Sequence, residues 1–91
     1  MTVSLEEVKL YLRVDSNDED ELITSFIFAI EELCEGILRR PLAEFVAVPE
    51  TIKQAILYGV GCLYEQREIA DMKAILVFLK SVLFSYRQEE W

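Results

Sequence analysis

Acidic side chains crowd one short stretch, Asp15, Asp18, Glu19, Asp20 and Glu21, the one constellation in these 91 residues able to gather a hard cation. A calcium loop needs a glycine at its sixth position and a bidentate glutamate at its twelfth. Counted from Asp15, those positions hold Asp20 and Phe26, so the stretch reads as a solvated helix start whose acids suit the positive end of the dipole. Histidine is absent, which removes the commonest general base, imidazole ligand and triad member. Cys34 and Cys62 stand 28 residues apart in apolar runs and read as buried thiols, neither a zinc site nor a disulfide. Gly59-Val60-Gly61 falls inside a helical pattern, where it makes no phosphate-cradling loop. Arg67 suits an ion pair with Glu68 or another carboxylate better than a substrate clamp. The residues therefore predict no catalytic group, no cofactor and no metal, and a protein that is not an enzyme.

The elements around these residues are helical. Ser4 and Glu7 form a Ser-x-x-Glu capping box for a first helix running to about Leu12. Asp18 with Glu21 repeats that spacing before a second helix over about residues 19–39, roughly 30 Å long. Along it Leu22, Ile23, Phe26, Ile27, Ile30, Leu33, Cys34, Ile37 and Leu38 share one stripe, with Glu21, Thr24, Glu31, Glu32 and Glu35 opposite. Phe28 lies on that polar side, out of place. Arg39 and Arg40 suit the negative end of the helix, and Pro41 stops it. An extended connection follows from Leu42 to Val48, with room for a short strand at Phe45 to Val48. Pro49 opens a third helix, about 50–67, whose apolar face carries Gly59 where another helix approaches closely. Asp71 caps a fourth, about 72–87, in which Ile75, Leu76, Val77, Phe78, Leu79, Val82, Leu83 and Phe84 leave almost no polar face. The expectation is a single all-α domain over residues 1–91, a small bundle of about four helices with a long second one.

Hydrophobic residues make up 53% of the chain, above the usual share for a soluble domain, yet no run is long enough to span a bilayer. The start of the chain lacks the basic and apolar stretches of a signal peptide, so cytosolic synthesis is expected. The apolar surplus points to a subunit interface. Phe28, Phe78, Val82, Phe84, Tyr86, Arg87 and Trp91 are its candidates. Charge is also unevenly placed. Residues 1–35 carry ten acids against Lys9 and Arg13 and hold the whole net charge of −8, because later residues balance at seven of each sign. Such an acidic side repels phosphates, which argues against sequence-specific DNA binding.

Several segments together resemble the small head-tail connector (adaptor), or DNA-packaging, proteins of tailed bacteriophages. Leu5-Glu6-Glu7-Val8-Lys9-x-Tyr11-Leu12-Arg13-Val14-Asp15 is similar to that family's start, and Glu19-Asp20-Glu21-Leu22-Ile23 to the opening of its long helix. Arg40-Pro41-Leu42 resembles its helix-ending motif. Pro49-x-x-Ile52-Lys53-Gln54-Ala55-Ile56-Leu57 and Leu63-Tyr64-Glu65-x-Arg67-Glu68 resemble its third helix, and Tyr86-Arg87 its end. The match runs in order along nearly the whole chain.

The resemblance implies a non-enzymatic subunit of a homo-oligomeric ring below the portal protein. That ring joins the DNA-filled head to the next neck or tail protein while DNA passes through without tight binding. It also implies assembly in the host bacterial cytoplasm, residence at the virion head-tail junction, and no membrane. In such a ring Glu31, Glu32 and Glu35 are candidates for an acidic face on the DNA channel. The competing reading is a small helical regulatory module that docks on one partner protein through the same apolar face and forms no ring.

Overall fold

The computed structural model describes residues 2–65 and 72–86. Four α-helices, α1 Leu5–Leu12, α2 Asp20–Leu38, α3 Glu50–Glu65 and α4 Met72–Leu83, make an all-α bundle, with 3-10 turns at Leu42–Glu44 and Phe84–Tyr86. The expected Asp71 cap and the Arg67–Glu68 pair lie outside the described residues.

The capping box forms as expected. The Ser4 hydroxyl accepts from the Glu7 amide at 3.0 Å, and the Ser4 amide donates to the Glu7 carboxylate at 3.1 Å. At α2 the outcome differs. Asp18 and Glu21 make no box, and Glu19 stands at the cap position without a side-chain capping hydrogen bond. Neighbouring polar groups at this turn reach other elements instead. Lys9 of α1 donates to Asn17 at 2.8 Å and pairs with Asp20 at 2.8 Å, while the Tyr64 hydroxyl of α3 donates to Glu19 at 2.6 Å. The acidic turn is thus a clasp between three helices.

Ile23, Ile27, Ile30, Cys34 and Leu38 of α2 are buried against Ile52, Ala55, Ile56 and Val60 of α3 and Ile75, Leu79 and Leu83 of α4. Gly59 sits where α3 packs closely on α2. A Cβ there would meet the Ile30 side chain at 3.0 Å, so the missing side chain is what lets α2 and α3 close up. Arg13 and Arg39 end α1 and α2 in the left-handed region, at φ 62° and 60°, a conformation more often taken by glycine. Arg40 lays its guanidinium 3.8 Å from the centre of the Phe45 ring.

Two further expectations are corrected. No strand forms among the described residues. Leu42–Glu44 makes a 3-10 turn, and Phe45 is extended with no second strand to pair with. Glu31 does not lie opposite the apolar stripe: it is 8% exposed and accepts a hydrogen bond from the Thr2 amide. On the helix it stands beside Ile27 and Cys34, and the segment holding buried Val3 covers that flank.

Candidate interaction surface

The long apolar run of α4 is divided by the turn of the helix. Ile75, Leu79 and Leu83 recur at helical spacing and face the core, while Val77 and Phe84 remain 64% and 61% exposed on the other side. Between those extremes Phe78 stacks on Tyr58 of α3, ring centres 4.3 Å apart at 37°. Val82 and Tyr86 are half-buried against the core. Of the residues expected at an interface, Phe28 on α2 (56% exposed) and Phe84 are therefore open to solvent, and Phe78, Val82 and Tyr86 are largely taken up inside the subunit. Arg87 and Trp91 lie outside the described residues. Sequence reasoning did not single out Val77, although its place half a turn from Ile75 and Leu79 was the available signal.

A groove of about 500 Å³ runs between α2 and α4. Half-buried Leu33, Ile37 and Leu76 line it, Glu32 and Lys80 stand on its two helices, and Phe84 closes one side. Gly36 also lines it, and a Cβ added there would meet nothing within 4 Å.

The three acids proposed as one face have different surroundings. Glu31 holds the Thr2 amide, the Glu35 carboxylate accepts from the Leu42 amide at 2.8 Å, and Glu32 is exposed. Cys34 and Cys62 are free thiols, buried and half-buried. Burial, with Glu31 and Glu35 adding negative charge nearby, pushes the Cys34 thiol up to about 12, which leaves it a poor nucleophile. Among the described residues no group of three or more histidine, cysteine or carboxylate side chains could hold a metal ion, and no helix is long and apolar enough to cross a membrane.

Comparison with known families bears on what these surfaces serve. The family model described as phage gp6-like head-tail connector protein matches residues 2–89. The chain belongs to that family. No curated protein and no solved structure matches it. As a head-tail connector, the protein has a structural role at the phage head-tail junction, where it meets other head and tail proteins. For the connector, the open apolar side of α4 and the α2–α4 groove leave apolar surface to be buried.

Proposed function

We propose that this connector assembles as a closed homo-oligomeric ring beneath the portal protein, bridges it to the next neck or tail protein, and surrounds the path of the DNA. The family match over residues 2–89 carries the reading. The uncovered apolar residues of α4 and Phe28 support it, because a subunit that buries them against identical neighbours on different faces builds a ring by rotation. Assembly takes place in the host cytoplasm, before the ring joins the virion. The net charge of −8 held by residues 1–35 supplies an acidic wall, past which a polyanion slides without being gripped. Phe28 and Phe84 belong to the subunit contacts.

Native mass spectrometry over a concentration series, alone and with the portal ring, tests the proposal. One closed multimer is expected in at least one of the two conditions. A tight dimer that ignores concentration would overturn the ring and favour the regulatory module.

A further inference from the structure

Among the described residues Leu10 is the most solvent-exposed large apolar side chain on any helix, at 81%. Glu6 and Arg13 stand beside it on the same side of α1, together lining one shallow surface hollow. The α2–α4 groove has chemistry to match: an apolar floor at Leu33, Ile37 and Leu76, with Glu32 and Arg39 along the α2 wall and Lys80 on the other. Gly36 is the second unexplained feature. Glycine is the poorest helix former after proline, and nothing inside the subunit comes near its missing side chain. Its place on the groove wall gives it a use, because it keeps the groove open to an incoming group.

We infer that the groove between α2 and α4 receives α1 of a second copy, with Leu10 seated between the helices, Glu6 against Lys80 and Arg13 against Glu32. The dimensions agree. Seven residues of helix separate Glu6 from Arg13 by roughly 10 Å, and packed neighbouring helices lie about 8–10 Å apart. An α1 that crosses the groove therefore puts one charge over each wall. Knob and groove are different surfaces of one subunit, so the contact is head-to-tail and leaves a free knob at one end and a free groove at the other until the ring closes. This inference rests on the ring reading and names the contact that would close it.

Two substitutions test it without touching the core: Leu10→Glu removes the knob, and Gly36→Phe fills the groove. Native mass spectrometry is run on each alone, on their equimolar mixture and on the unmodified chain, with and without the portal ring, after circular dichroism has established that both keep their helices. Each variant alone is expected to need a concentration roughly 30-fold higher or more to associate, as for loss of an interface anchor. The mixture is expected to give a one-to-one dimer, because the intact groove of one chain takes the intact knob of the other. Lys80→Glu should weaken assembly, and adding Glu6→Lys should restore it. If the unmodified chain forms rings and both variants form them equally well, the docking is wrong and the ring stands. If the unmodified chain and the mixture remain monomeric in both conditions, both fall.

Discussion

Helices α2 and α4 are both rich in apolar residues, yet they place them differently. In α2 the buried stripe from Ile23 to Leu38 takes the large aliphatic side chains, and the outward side is mostly acidic or small, with Phe28 the exception. In α4 Ile75, Leu79 and Leu83 serve the subunit's core while Val77, and Phe84 in the 3-10 turn that follows, face outward. The first pattern belongs to a helix whose main aliphatic stripe is buried within its own chain. The second leaves apolar surface outside the subunit's own core, available to the neighbour that the proposed ring would supply.

Stability measurements on single variants test that contrast directly. Ile30→Ala should lower the unfolding free energy by about 3 kcal/mol in urea titration, since it empties a fully buried site. Val77→Ser should change the subunit's own stability by less than about 0.5 kcal/mol and show its effect in assembly instead. Comparable losses in the two variants would erase the distinction between the helices.

The two glycines sharpen it further. Gly59→Leu should cost about 2 kcal/mol by driving side-chain atoms into Ile30. Gly36→Ala should raise stability by about 0.5–1 kcal/mol, because the helix gains and nothing clashes. Thermal denaturation of the two variants side by side would read both signs.

A smaller effect follows from Cys34. Its thiol is neutral in the folded and unfolded chains below the ordinary value of 9.0. Above that the unfolded chain ionises freely, while the folded chain resists until about 12. The folded state therefore binds more protons in that window, and stability falls as pH rises through it. The expected loss is about 1 kcal/mol at about pH 10, and Cys34→Ala should abolish this component in urea titrations at paired pH values.

The parts of the fold legible in the sequence are those governed by neighbours along the chain. Ser4 and Glu7 meet across one helical turn, the α2 stripe follows from helical spacing, and Pro41 interrupts the chain where α2 ends. Gly59 signalled a close approach, and Ile30 supplies it. The misreadings share a different cause. Asp18 and Glu21 have the spacing of a cap, but the acidic turn is organised by Lys9 and by Tyr64, whose partner Glu19 is 45 residues away. Glu31 was assigned to the polar side by its type, whereas its burial depends on a segment 29 residues earlier folding over it. A strand at Phe45 to Val48 needed a partner that local propensity cannot provide. For the interaction surface, the excess of apolar residues in α4 was visible in the sequence. Which of them stay outside was fixed only by the packing of α3, where Tyr58 claims Phe78.

Glu31 and Glu35, one turn apart on α2, hold the backbone at Thr2 and at Leu42, the first just before α1 and the second on the way to α3. That single turn acts as a collar from which two arms of the subunit depart. A pull on the chain ahead of α1 would therefore be delivered to the middle of the longest helix and passed on to the segment leading into α3, a mechanical route that skirts the apolar core.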